Sequence, residues 1–311
     1  MKTIVKHAYI RTRTGGLLFY SVKDCLVYFT LFCTIARKHS VRVLGLCLMY
    51  DHIHILVEIQ SQSQLTRLVQ ECSSRYARAF NMSSGRVGQV FDKSFGYAPK
   101  IGGKKIRTAI AYLYNNPVEK KLCREAEEYR WNYLAYYKNN NPFSKPIVKK
   151  TARKALRYAL AEVDQTRSRG LPLTYTMLSR LMDGLNNEEL NQLTDYIVSS
   201  YNSIDYEASI EYYSSYEDMM TAIHSNTGSE YEINEITTKG DDRIYVELSR
   251  ALRDSNIAVK GKRVISAPLA EKQRLAQDLY GYTQATIEQL DKYLWISDRR
   301  ITKRRRKSRG A

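Results

Sequence analysis

His52 and His54 stand one residue apart in the run Leu46-Cys47-Leu48-Met49-Tyr50-Asp51-His52-Ile53-His54-Ile55-Leu56-Val57. A strand places residues i and i+2 on one face, so both imidazoles point the same way while Ile53 and Ile55 point into a core. Two neighbouring imidazoles can hold a divalent metal. The plainer alternative is a pair of half-exposed strand histidines that bind nothing. Further along comes Ile110-Ala111-Tyr112-Leu113-Tyr114-Asn115-Asn116-Pro117-Val118. Tyr112 and Asn116 are four apart and project from one face of a helix. A phenol with an ordinary pKa of about 10 is a poor nucleophile by itself. A nearby divalent cation polarises a phosphate under attack, and an Asn116 amide oxygen would complete the coordination begun by His52 and His54, since Mg²⁺ and Mn²⁺ take hard oxygen ligands. Attack by Tyr112 on a DNA phosphorus would leave a covalent phosphotyrosine. The alternative is an aromatic core position with a helix-capping asparagine, the default in a chain of 25 tyrosines.

The elements that must position these groups follow from periodicity. Residues 5–12 pattern as a strand, and 24–38 as a helix with Leu26, Phe29, Phe32 and Ile35 on its apolar stripe. Residues 41–49 and 52–59 are β-rich runs around a tight polar break, which predicts a hairpin. Residues 65–81 return to helical spacing through Leu68, Cys72, Tyr76 and Phe80. Residues 85–97 read as a turn plus a short strand carrying Val90 and Phe91. Residues 104–115 form a helix that Asn116-Pro117 ends, because proline cannot continue it. This order predicts an α+β fold, close to a ferredoxin-like antiparallel sheet with helices packed on one face.

Beyond Tyr137 the character shifts, which predicts three parts: a catalytic domain at 1–137, a linker at 138–148 rich in Asn, Pro, Ser and Lys, and a mostly helical region at 149–311. Helices are predicted at 149–166, 174–183 and 188–200. Residues 201–247 are acidic, with eleven Asp or Glu against two Lys or Arg; they read either as loosely ordered or as a mask over a basic surface. At the end, 269–279 is a helix broken at Gly281, and Thr283 caps a second through Leu294. Ser297 then caps a short basic helix with Arg299, Arg300, Lys303 and Arg304. This spacing at 269–309 predicts a helix-turn-helix that binds DNA, against an ordinary helical hairpin with a basic tail.

The formal charge of +17 over 311 residues favours a polyanionic partner, nucleic acid first and an anionic membrane surface second. No segment holds the roughly 20 apolar residues that would span a bilayer, and the first residues lack a signal-peptide core. Five scattered cysteines without C-x-x-C spacing read as reduced thiols, not a disulfide frame or zinc site, which predicts a cytoplasmic protein.

Five blocks together resemble a known family. Met49-Tyr50-Asp51-His52-Ile53-His54-Ile55-Leu56-Val57 resembles the Met-Pro-Asn-His-Val-His-Leu-Leu block of the single-tyrosine HUH transposases, and most closely their REP-associated branch. Arg75-Tyr76-Ala77-Arg78-Ala79-Phe80-Asn81 is similar to the family's next helix. Gly85-Arg86-Val87-Gly88-Gln89-Val90-Phe91 matches its Gly-x-x-Gly-x-x-Phe turn. Tyr112-Leu113-Tyr114-Asn115-Asn116-Pro117-Val118 matches Tyr-Ile-x-x-Asn-Pro-Val, and Tyr129-Arg130-Trp131-Asn132-Tyr133 resembles Tyr-Pro-Trp-Ser-Ser-Tyr. The blocks cover residues 1–137 in the family's order.

The resemblance implies metal-dependent cleavage and rejoining of single-stranded DNA, with a 5′-phosphotyrosine and a free 3′-hydroxyl. It carries the nucleophile onto Tyr112 and the metal ligands onto His52, His54 and Asn116, with Mg²⁺ or Mn²⁺ as the ion. Tyr114 faces away from Asn116 on a regular helix and is the second choice of nucleophile. Asp51 and Glu58 are alternative oxygen ligands; alternation puts Glu58 on the histidine face and Asp51 on the other. Tyr50 and Asp51 stand where the family usually has Pro-Asn, and residues 11–16 stand where it has a Gly-Asn-rich segment. Candidate DNA contacts are Arg11, Arg13, Lys93, Lys100, Lys104, Lys105 and Arg107, together with Arg299, Arg300, Lys303 and Arg304. The implied partner is single-stranded DNA at hairpin or palindromic repeat ends, met in the nucleoid by a monomer or homodimer. Two other readings remain: a related nicking enzyme for replication or conjugation, and a catalytically silent DNA-binding regulator.

Overall fold

The computed structural model describes residues 3–13, 15–225, 241–254 and 264–296. Four strands, β1 (Ile4–Arg11), β2 (Arg42–Leu48), β3 (His52–Ile59) and β4 (Gly96–Lys100), form an antiparallel sheet in the order β2-β3-β1-β4. Helix α1 (Val22–Lys38) links β1 to β2, and α2 (Gln62–Ser84) links β3 to β4. This βαββαβ order is the ferredoxin-like arrangement predicted from the sequence. Asp24 secures the start of α1, its carboxylate accepting from the backbone N–H groups of Tyr20 (3.0 Å) and Ser21 (2.9 Å). Gly85 ends α2 with φ of 67°, a left-handed cap that favours glycine.

Strand alternation sorts side chains between two cores. Ala8, Ile10, Leu46, Ile53, Ile55 and Val57 face α1 and α2, whereas Val5, Leu44, Cys47 and Leu56 face α3 (Gly103–Glu119). The expectation of helices on one face therefore holds for α1 and α2 but not for α3, which packs on the opposite face. Two local expectations also change. Val90 and Phe91 are not a strand; Phe91 makes an isolated bridge to Thr12, both residues are buried in the α1–α2 core, and β4 begins only at Gly96. Helix α3 continues past Asn116, with Pro117 inside its last turn. Pro117 gives up one helical N–H bond, but the ladder closes again behind it, with Lys120 N donating to Asn116 O at 3.1 Å.

The second half of the chain is helical, as predicted. Helices α4 (Lys154–Ser168), α5 (Tyr175–Met182) and α6 (Asn187–Tyr201) pack their apolar stripes into the core that α1 shares. Helices α7 (Tyr206–Ile210) and α8 (Tyr216–His224) fold the first part of the acidic segment against β2 and the outer side of α3. Ser209 Oγ donates to Leu44 O at 2.8 Å, so this part is ordered. Helices α9 (Arg243–Asp254), α10 (Leu269–Tyr282) and α11 (Ile287–Leu294) build a third core on Leu17, with Tyr20 and Tyr50 at its margin. Gly281 lies within α10. Thr283 caps the C-terminal end of α10, and Thr286 starts α11, its hydroxyl accepting from Gln289 N at 3.2 Å. The short basic helix expected after Ser297, with Arg299, Arg300, Lys303 and Arg304, lies outside the described residues.

Candidate active site

Strand β3 and helix α3 bring the four predicted groups together beneath the surface. His52 is 6% exposed, His54 0%, Tyr112 1% and Asn116 2%. The Tyr112 ring stands edge-on to His54, with centroids 5.6 Å apart and planes at 88°. Asn116 Nδ2 donates to the Tyr112 hydroxyl at 3.1 Å, as an i,i+4 pair on one helix face allows. His52 and His54 lie with centroids 4.9 Å apart.

The imidazoles are oriented from behind. Asp51 Oδ1 is 2.6 Å from His52 Nδ1. A carboxylate accepts there, so the proton sits on Nδ1 and the lone pair on Nε2. His54 Nδ1 is 3.1 Å from His7 Nε2 and shares one hydrogen bond with it. Burial first, and then the proximity of His52 and His7, hold His54 well below the usual imidazole range and keep it neutral. A neutral imidazole is the form that binds metal.

Two polar atoms turned into this space, His52 Nε2 and Asn116 Oδ1, are buried without a hydrogen-bond partner. Buried polar atoms are otherwise nearly always paired, and a nitrogen lone pair and an amide oxygen are both donors to a divalent cation. The side chains therefore fit a divalent metal ion. His7 and Tyr9 complete the wall. The Tyr9 ring lies 5.1 Å from His52 and 5.3 Å from His54, and the strand register sets Tyr9 opposite His54 and Arg11 opposite His52. Sequence reasoning missed both residues, although the alternation His7-Ala8-Tyr9-Ile10 puts a polar side chain at every second position of β1.

The competing residues lie elsewhere. Tyr114 is buried among the apolar side chains between α3 and β2, and its hydroxyl reaches only as far as Leu44 O at 3.4 Å. Burial, then the neighbouring Tyr206 and Cys47, push its phenol well up. Glu58 sits farther along β3, where Arg42 Nη1 donates to it at 3.1 Å. Asp51 stands behind His52, not beside its Nε2. Of the candidate DNA contacts, Arg11 is ion-paired to Asp92 at 2.8 Å and Arg13 is bonded to Gln89. Lys93, Lys104, Lys105 and Arg107 are exposed, the last three along the first turn of α3. Lys100 is 3% exposed and is not a surface contact; the alternation of β4 turns it inward with Ala98. Among the described residues, no helix is long and apolar enough to cross a membrane.

One stretch of the chain matches a described family. Residues 20–116, which include β3 and most of α3, match the family described as IS200-like transposases. The match takes in His52, His54, Tyr112 and Asn116 and stops short of the regions carrying α4–α11. Among solved structures, the chain is similar to a REP-associated tyrosine transposase bound to a REP hairpin, with 11% identity over 44% of this chain and 79% of that one and a TM-score of 0.36. No curated protein matches the chain.

Proposed function

We propose that this protein cuts and rejoins single-stranded DNA through a covalent bond between Tyr112 and a 5′-phosphate. The observation that supports this reading best is the convergence of the Tyr112 hydroxyl, the Asn116 amide and the two β3 imidazoles in one buried space, with His52 Nε2 and Asn116 Oδ1 lacking partners. In this reading His52, His54 and Asn116 hold Mg²⁺ or Mn²⁺, which when bound draws charge from the phosphate under attack.

The chain's own residues do the rest. Asn116 Nδ2 fixes the Tyr112 oxygen by donating to it, so the nucleophile starts oriented. The Tyr112 oxygen forms a bond to phosphorus as the bond from phosphorus to the 3′-oxygen breaks. The phenol proton passes, in net, to the departing oxygen. The products are a 5′-phosphotyrosine and a 3′-hydroxyl, and the reverse attack by a 3′-hydroxyl rejoins a strand. All four groups are buried, so a phosphodiester reaches them only after the side chains above them yield.

The choice of hairpin or palindromic ends rests on the sequence blocks that resemble the REP-associated branch. Arg11, Arg13, Lys104, Lys105 and Arg107 are proposed to hold the phosphate backbone without regard to sequence. The C-terminal helices, with Arg299, Arg300, Lys303 and Arg304 beyond them, are proposed to add duplex binding. The test is to incubate labelled hairpin oligonucleotides with Mn²⁺ and look for a protein–DNA adduct on a denaturing gel. Wild type should form it and Tyr112→Phe should not.

A further inference from the structure

Asp51 is one of the two residues that depart from the family's Pro-Asn block, and the structure gives it two partners. One carboxylate oxygen holds His52 Nδ1 at 2.6 Å. The other is ion-paired with Lys292 Nζ, from α11, more than two hundred residues along the chain. Tyr50, the other departure, packs on Tyr245 of α9 with ring centroids 5.5 Å apart. The β2–β3 turn is thus read on both sides by the C-terminal helices, which also fix the neighbouring loop through Trp295 Nε1, donating to Leu17 O at 3.1 Å, and Tyr20 Oη, donating to Tyr293 O at 2.7 Å. Asp51 and Lys292 are both largely buried, with side chains 19% and 16% exposed. A charge pair so placed is held more firmly than a surface one.

We infer that Asp51 and Lys292 are positioning residues for the metal site: Asp51 fixes the ring and tautomer of His52, and Lys292 fixes Asp51. The inference rests on the reading of His52 as a metal ligand. A ligating imidazole whose far nitrogen donates to a carboxylate is held in the orientation its metal needs and is made more basic. An amide at position 51 would also accept from His52 Nδ1–H but would not hold the lysine. The acidic residue therefore links the C-terminal helices to the chemistry, and α11 acts on the site through Lys292 and Asp51.

The test uses the full chain without DNA and follows two signals, Mn²⁺ affinity by electron paramagnetic resonance and the His52 tautomer by ¹⁵N imidazole resonances. Asp51→Ala should weaken Mn²⁺ binding by about 10–100-fold, the usual effect of losing such a partner, and should release His52 from its Nδ1–H form. Lys292→Met should give a smaller loss in the same direction, none when Asp51→Ala is already present, and Lys292→Arg should restore binding. Asp51→Asn, which keeps an acceptor and should fold if the alanine variant does not, is expected to retain the tautomer and match Lys292→Met in affinity. Wild-type affinity in Asp51→Asn and Lys292→Met, or wild-type affinity and tautomer in a folded Asp51→Ala, would overturn the inference. His52→Ala separates the two levels of the argument. If it leaves Mn²⁺ binding intact, the metal-site reading fails; if it abolishes binding while the Asp51 variants do not weaken it, only the positioning role fails.

Discussion

Tyr112 and Tyr114 sit two residues apart on one helix, and environment alone separates them. The Tyr112 hydroxyl is held by Asn116 against two imidazoles, whereas Tyr114 is packed into the core between α3 and β2. Helical spacing makes that distinction legible from sequence, since i,i+4 neighbours share a face and i,i+2 neighbours do not. His7 was not legible, because its contact with His54 depends on which strand lies beside β3, and β1 becomes that neighbour only through the sheet order. The state of His54 leads to a pH effect. Its folded value lies well below the ordinary imidazole value of about 6.5. Above that value both folded and unfolded chains carry neutral His54, and its contribution to stability is constant. Below it the unfolded chain takes up a proton that the folded site excludes, so stability falls as pH falls until the folded value is reached. Asp242 works in the opposite sense: burial, then the charge of Asp51, raises its carboxyl to about 6, so it favours folding less as pH rises toward 6. The difference between wild type and His54→Phe isolates the first effect. Thermal melts at pH 7.5 and 5.5 should show wild type losing more stability on acidification than the variant; equal losses would mean that His54 is not held neutral.

At the level of elements, α3 is the part whose placement decides the chemistry. It is buried between the sheet and α8, and every residue from Ala109 to Pro117 is covered. Its existence was legible in its periodicity, but its face of the sheet was not, because an amphipathic stripe says that a helix is buried and not which layer buries it. The proline misled as well: Pro117 lies inside the last turn of α3, and the backbone bonds close again behind it. Gly45 sets the spacing between β2 and α3. It lies at an irregularity in the β2–β3 pairing, and a Cβ there would come within 3.1 Å of Leu113 Cδ2 and 3.6 Å of Tyr114 Oη. Overpacking of a close-packed core costs about 1–3 kcal/mol, and displacement of α3 moves Tyr112 with it. Gly45→Ala should therefore lower the melting temperature and slow adduct formation while leaving DNA affinity near wild type. Unchanged adduct kinetics in a destabilised variant would show that α3 is not held to its position by this contact.

Across the whole molecule, the +17 charge and the way the C-terminal helices fasten to the sheet domain matter most. The charge was legible by counting, and it implies affinity that falls with salt. Each phosphate contact on single-stranded DNA contributes about 0.7 to the slope of log affinity against log salt. Replacing both Lys104 and Lys105 by alanine should reduce that slope by about 1.4 in anisotropy titrations; an unchanged slope would place the DNA elsewhere. The docking of α9–α11 was not legible, because Leu17, Tyr50 and Asp51 meet Leu275, Tyr245 and Lys292 from far along the chain, and no local pattern encodes such a meeting. Gly16 records it in the structure. A Cβ at Gly16 would land inside the Trp295 indole, which also stacks beneath Arg86 at 4.1 Å. Gly16→Ala should expel that indole, shift tryptophan fluorescence to longer wavelength and loosen the C-terminal helices. A variant with the wild-type spectrum and melting curve would contradict this account of the docking.

The most direct measurement is to identify the residue that carries the DNA. After reaction of the full chain with a single-stranded hairpin and Mn²⁺, digestion and mass spectrometry of the trapped adduct should find a nucleotide on the peptide containing Tyr112, attached through its 5′-phosphate. Tyr112→Phe should yield none, and Tyr114→Phe should react as wild type. An adduct on Tyr114, or cleavage that persists without any covalent intermediate in Tyr112→Phe, would contradict the account.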